Sequence, residues 1–289
     1  MIWGSSFAWI KIAVDEIPPA TLVAYRMSLG AVGMLALLPF LKVSLPRTAN
    51  GLVPLAVLGA INTALPIFLI SWGEQFVGSG TAGVLNSLVP IFSLIIAGLI
   101  IQTEPVTWLR VSGLVLGFMG AALLAGRELD ITGGTSGLIG ALAVILAALS
   151  YAAGASYARY RIQRTHRYAV AGGSLVFAAA YMWLVALPVD GFVVPRQPDT
   201  ILAVAWLGVL GSFIAYVLYF FLLARLGATL STMVTYVFPV VAVFLGVTFL
   251  AEPLDAMLLI GTGLVVLGIL TVSLRYDAAV SRATSEARE

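Results

Sequence analysis

The sequence predicts an all-α integral membrane protein, with ten transmembrane helices arranged as two inverted five-helix repeats. Three observations predict it. Of the 289 residues, 61% are hydrophobic and only 10% are charged, against about 25% charged in an ordinary soluble domain. A water-soluble fold of this size cannot hide so much apolar surface. The apolar residues fall into ten runs separated by short polar breaks. The second half of the chain also echoes the first, and such repeats define an architecture before any single residue does.

The runs cover roughly residues 1–14, 20–41, 52–73, 79–101, 106–125, 136–158, 168–188, 200–224, 228–250 and 255–275. About twenty apolar residues cross a ~30 Å hydrocarbon core. The first run is shorter: a helix of about fourteen residues reaches only about 21 Å, so native residues are expected to precede Met1. A cleaved signal peptide does not fit, because the start shows no basic region and no small-residue cleavage site. Loops are marked by Ile17-Pro18-Pro19, Pro46-Arg47, Gly133-Gly134 and the stretch Pro195 to Pro198. None is long enough for a separate soluble domain. Residues 1–126 therefore read as one five-helix repeat and 135–275 as the second. The polar Ala/Ser-rich tail, 276–289, is expected to be disordered.

The echo is specific. Gly78 to Pro90 in the fourth run resembles Gly227 to Pro239 in the ninth, each a long apolar helix interrupted by a proline. Each continues to a Glu-Pro pair, Glu104-Pro105 and Glu252-Pro253. A glycine-bearing helix follows each, with Gly113 and Gly120 in one and Gly261 and Gly268 in the other. These last pairs share an offset of 148 residues, as do Trp3 with Tyr151 and Lys11 with Arg159, while the prolines differ by 149. Leu55 to Gly59 matches Leu207 to Gly211 at an offset of 152, so small gaps lie in the loops. Five helices is an odd number, so the second repeat enters the membrane from the opposite side. Interrupted apolar segments at equivalent places in two halves point to the substrate site of a transporter. Pro90 and Pro239 are the expected hinges, because each removes a helical hydrogen bond. The glycines of the fifth and tenth runs read as helix-packing contacts.

Orientation follows from the basic residues. With the N-terminus inside, eleven Lys and Arg fall on the inner side, from Lys42 and Arg47 to the cluster Arg159–Arg167 and the tail, and three on the outer side: Lys11, Arg127 and Arg196. Both termini are thus expected in the cytoplasm. Arg26 lies within a span. Lys11 and Arg26 are expected to pair with Asp15 or Glu16 near the outer side.

The residues also resemble a known family. Trp3-Gly4-Ser5-Ser6-Phe7, Tyr25-Arg26-Met27, Gly80-Thr81-Ala82 through Pro90 and the Glu104-Pro105 end look like one EamA unit. Two in tandem resemble the ten-helix branch of the drug/metabolite transporter superfamily. Within it the chain is similar to the YddG-type aromatic amino acid exporters. The resemblance implies a basket of ten helices around a central cavity in a bacterial inner membrane. It also implies efflux of amino acids or related metabolites.

Polar residues inside spans usually face the bundle interior or a water-filled cavity. Asn62, Trp72, Asn86, Tyr151, Tyr157, Tyr216, Tyr219 and Tyr236 are candidates, and Trp3 and Phe7 add an aromatic face to the first helix. Aromatic walls with a few amide and hydroxyl groups suit an amphipathic, zwitterionic solute with an apolar side chain. Trp72 and Trp183 also fit an interfacial belt, and Asn62 and Asn86 also fit interhelical hydrogen bonding.

The chain has no cysteine, and its one histidine, His166, lies in a basic loop. That disfavours a metal site, a thiol chemistry or a histidine relay. No Walker A loop, His-Glu-x-x-His, Gly-x-Ser-x-Gly or mid-span carboxylate pair is present, so an enzyme is not expected, and neither is a cofactor or a nucleic-acid partner. Glu74, Glu104 and Glu252 lie at span ends, so passage driven by the solute gradient without a coupled ion is expected. The expected partners are a small-molecule substrate, amino acids, and the lipid bilayer, with the chain acting as a monomer. The competing readings are a proton-coupled multidrug or broad metabolite efflux carrier, an intramembrane enzyme, and a non-transporting membrane protein.

Overall fold

The computed structural model describes residues 1–101, 107–132, 134–163, 165–232 and 237–286. Glu104, Pro105 and Tyr236, which the sequence singles out, lie outside the described residues. Among the described residues the fold is all-helical, with no strand. Seven helices are long and apolar enough to cross a membrane, and three shorter apolar helices accompany them.

Each element has a local cause. Helix α1 (Ile2–Val14) ends before Pro18 and Pro19. Helix α2 (Pro19–Phe40) starts on Pro19, at a position where a missing N–H costs nothing. Helix α3 (Ala49–Gly59) runs through a π-helical turn, Ala60–Ala64, into α4 (Leu65–Gly73). Pro66 cannot donate to the carbonyl of Asn62, and the wider turn absorbs that gap. Helices α5 (Ser79–Asn86) and α6 (Val89–Ile95, then a π turn Ile96–Ile100) are separated at Ser87–Leu88. The sequence suggests one kinked helix here. The chain instead breaks before Pro90, which has no N–H for the carbonyl of Asn86.

Helices α7 (Trp108–Thr132), α8 (Thr135–Arg161) and α9 (Arg167–Asp190) are long and continuous. Gly191 stops α9 with φ 74°, a left-handed C-terminal conformation that only glycine takes freely. Helix α10 (Pro198–Ala205) passes through a longer π stretch, Trp206–Ile214, into α11 (Ala215–Thr232). Helices α12 (Val237–Phe249) and α13 (Ala256–Glu286) complete the chain. Two boundaries differ from the sequence reading. Helix α11 continues past Arg225, where a loop is expected, because a lone glycine costs only about 1 kcal/mol and no proline intervenes. Helix α13 continues to Glu286, through residues expected to be disordered, because that stretch is rich in alanine and lacks a breaker.

The two halves of the chain pack on each other rather than side by side. Helix α2 lies along α9, α4 along α8, α5 and α1 along α12, and α7 along α13. The α7–α13 crossing is close because both backbones are bare. A Cβ on Gly113 would sit 2.8 Å from the carbonyl oxygen of Gly268, and one on Gly120 would sit 2.7 Å from that of Gly261. Small residues let helices approach where lipid supplies no hydrophobic drive between them. Large apolar side chains such as Phe40, Val189 and Phe249 point outward, as a lipid-facing surface requires.

Candidate functional site: a buried cavity between the halves

Trp3 organises one wall of a cavity of about 290 Å³. Its indole Nε1 donates to the carbonyl of Gly211 at 2.9 Å. That carbonyl belongs to the π stretch, where the i→i+5 pattern leaves room for an outside donor. The same device recurs in the π turn Ala60–Ala64, where Ser150 Oγ donates to the carbonyl of Ile61. With its N–H spent, Trp3 presents ring surface, packed on Tyr216, Tyr219 and Phe238 at centroid distances of 5.9, 5.6 and 6.1 Å. Phe7 follows one helical turn later on the same face.

The polar wall comes from α2, α3–α4, α5–α6 and the π stretch between α10 and α11. Asn62, Thr63, Asn86, Ser87, Arg26 and Ser212 border the cavity. Asn86 Oδ1 is buried with no hydrogen-bond partner among the described residues. Pro90 leaves the main-chain carbonyl of Asn86 without its helical donor, so this residue offers two acceptors. Arg26, 6% exposed, donates Nε to Ser212 Oγ at 3.1 Å.

Of the residues proposed from sequence, Trp3, Phe7, Asn62, Asn86, Tyr151, Tyr216 and Tyr219 line this cavity, as does Pro90. Trp72 and Tyr157 are not among its lining. Trp72 packs edge-on against Phe76, and Tyr157 packs beside Leu55, Leu58 and Ile162. Helical register is the reason. At about 100° per residue, Trp72 is turned about 200° from Ile70, and Tyr157 about 200° from Ala155, both of which face the cavity. Pro239 is buried in the first turn of α12. Sequence reasoning missed Arg26, Ser6, Ser212 and Phe238. For Arg26 a signal existed: an arginine mid-span, with no acid three or four residues away, is an expensive group that needs a cavity or a partner.

The expected ion pairs with Asp15 and Glu16 do not form. Lys11 Nζ instead donates to the main-chain carbonyls of Glu74 and Val77, at the end of α4. Glu16 accepts from the backbone N–H of Arg196 and Gln197. A helix C-terminus is a cluster of unpaired carbonyls at the negative end of a dipole, and Lys11 reaches it directly.

The start of α5 is tied to the second half by charge. Helix α5 begins at Gly78-Ser79-Gly80 with no capping side chain of its own. Glu252 supplies the cap from the other half: its carboxylate accepts from Ser79 N at 2.6 Å and Gly80 N at 3.0 Å. Beside it, Arg127 joins Asp255 at 2.7 Å, Glu128 at 2.9 Å and the carbonyl of Pro253 at 2.7 Å. Thr81 Oγ1 donates to Glu128 at 2.6 Å. Glu74, at the end of α4, is fully buried, and neither carboxyl oxygen has a hydrogen-bond partner among the described residues. Burial pushes its carboxyl well above the usual range, and the nearby Lys11 charge only partly offsets this.

Among the described residues, a helical shell with an apolar outer surface around an aromatic and amide-lined cavity defines a multi-pass membrane protein. Comparison with known proteins gives the family. The EamA-like transporter family matches twice, over residues 1–126 and 138–274. The chain belongs to this family, within the drug/metabolite transporter superfamily, and is a membrane transporter of the EamA type. It is 28% identical to a probable terminal-alkyne amino-acid exporter of Streptantibioticus cattleyicolor, over 94% of this chain and 90% of that one. It is 30% identical to the uncharacterized inner membrane transporter YedA of Escherichia coli, over 95% of this chain and 88% of that one. The uncharacterized transporter YoaV of Bacillus subtilis is 25% identical, covering 93% and 92%. A solved crystal structure matches with a TM-score of 0.68 at 23% identity, over 94% of this chain and 93% of the other, which gives the fold.

Proposed function

We propose that the protein exports amino acids, aromatic and other apolar ones above all, across a bacterial inner membrane by alternating access. The observation that carries this reading is the cavity: ring faces from Trp3, Phe7, Tyr216 and Tyr219 oppose the amide and carbonyl acceptors of Asn86. That wall chemistry fits a zwitterion with an apolar side chain. The similarity to a protein named as a probable amino-acid exporter supports the solute class.

The reading includes ten spans in two inverted five-helix repeats, with both termini cytoplasmic. Supporting this, the packing pairs equivalent elements of the two halves. The π stretches of α3–α4 and α10–α11 fall at matching places, and each accepts a donor from the first helix of the opposite half, Ser150 to Ile61 and Trp3 to Gly211. In this orientation the knot of Glu252, Arg127 and Asp255 closes the outer end. Pro90 and Pro239, each in the first turn of a helix, are the hinges about which the halves rock. The protein works as a monomer, with no cofactor.

One observation favours a second reading, proton-coupled efflux: the buried, unpartnered Glu74 beside Lys11 and Glu252. A single experiment separates the two. Purified protein in liposomes is given a panel of radiolabelled amino acids, with and without an imposed pH gradient. Saturable counterflow of phenylalanine or leucine without the gradient supports the uncoupled exporter. Accumulation only under the gradient, lost in Glu74→Gln, supports coupling. No counterflow of any amino acid overturns both.

A further inference from the structure

Arg26 carries a charge that no ion pair among the described residues neutralises; the buried Glu74 carboxyl acts on it only from beyond salt-bridge distance. It sits about two turns into α2 and is 6% exposed. Its Nε donates to Ser212 Oγ at 3.1 Å, and it forms no ion pair. A guanidinium carries five N–H donors in a planar fork. Four remain unspent on the two terminal nitrogens, and the residue borders the cavity. The backbone alongside is bare: Nη2 lies 3.6 Å from the place a Cβ on Gly211 would occupy. A buried cation without a counter-ion is costly in an apolar span. A simple pin between α2 and the π stretch would need only one neutral donor, so the charge itself requires another explanation.

The cavity also carries the complementary group. Asn86, 8% exposed, has an unpartnered Oδ1 and a main-chain carbonyl freed by Pro90. Both are acceptors, suited to an ammonium. We infer that Arg26 is the carboxylate anchor of the cavity, taking the acid group of the solute in a bidentate fork. Asn86 takes the ammonium and the aromatic wall takes the side chain. This deepens the amino-acid reading above and rests on it. It adds a specificity rule: the solute must carry a carboxylate.

The test uses purified protein in lipid nanodiscs and three probes: L-phenylalanine, 3-phenylpropionate, which lacks the ammonium, and 2-phenylethylamine, which lacks the carboxylate. The wild type is expected to bind both carboxylates and to bind the amine at least about 10-fold more weakly. Arg26→Gln is expected to weaken both carboxylates by about 10- to 100-fold, the range for losing a charge-assisted pair. It should leave the amine unchanged, and Arg26→Lys should recover part of the loss. A merely structural arginine would lower the melting temperature and leave the ranking of the three probes intact. Should Arg26→Gln not fold, the wild-type ranking decides alone. Equal binding of amine and phenylalanine overturns the anchor and leaves the exporter reading standing. Arg26-dependent binding of 3-phenylpropionate without phenylalanine supports the anchor and overturns the amino-acid reading. Binding of neither carboxylate overturns both.

Discussion

Glu74 shows how one side chain links burial to pH. Its folded carboxyl holds a proton to higher pH than the unfolded one, chiefly because it is buried. The unfolded chain therefore releases its proton first as pH rises through the ordinary value of 4.5. From there the native state binds more protons than the unfolded one, so stability falls with pH until the folded group also ionises. Glu74→Gln should flatten that loss, seen as a melting temperature that changes less between about pH 5 and pH 8 than in the wild type. A parallel decline in both proteins would remove Glu74 as the cause. Asn86 acts at the same scale. Asn86→Leu fills the site with a group that accepts nothing, and phenylalanine affinity should fall by about 10-fold or more in equilibrium binding. Trp72→Leu, turned away from the cavity, should leave affinity within about twofold.

At the level of elements, α5 depends on a carboxylate borrowed from the other half. Glu252 caps Ser79 and Gly80, and Gly246 leaves space for it, since a Cβ there would collide with its carboxylate. Glu252→Ala should cost about 1–2 kcal/mol of stability, the range for losing a helix N-cap. It should also speed hydrogen exchange at the start of α5. Unchanged exchange at Ala82 and Gly83 would mean that the cap does not hold this end. The α7–α13 crossing makes a second prediction. Gly120→Leu places a branched side chain against the backbone of Gly261, so it should destabilise by about 1–3 kcal/mol or more. The same substitution at Gly126, which has open space around it, should be near neutral.

For the whole molecule, the question is which side each end faces. These 289 residues contain no cysteine, so single cysteines report cleanly. In intact cells a membrane-impermeant maleimide should label Gln197→Cys and not Thr165→Cys, and only permeabilised cells should label both. The reverse pattern would invert the assignment of Glu252 and Arg127 to the outer end.

Composition and run length determined that this chain is helical and crosses a membrane, because an apolar segment in lipid has no other way to pair its backbone. The 148-residue echo marked equivalent prolines and glycines, and the glycines at 113, 120, 261 and 268 do meet across α7 and α13. What the sequence left open is decided by rotation and by contacts between distant segments. Trp72 and Tyr157 have the residue types of a solute-facing wall, yet the helix turn carries them away from the cavity. Arg26 looked like the partner of a nearby acid, yet it lies beside Ser212, 186 residues along the chain. The cap on α5 and the burial of Glu74 depend on the second half closing over the first. Periodicity and hydropathy are local sums and can be read from a single chain. A counter-charge, a cap or a cavity wall exists only once two remote stretches share the same few ångströms.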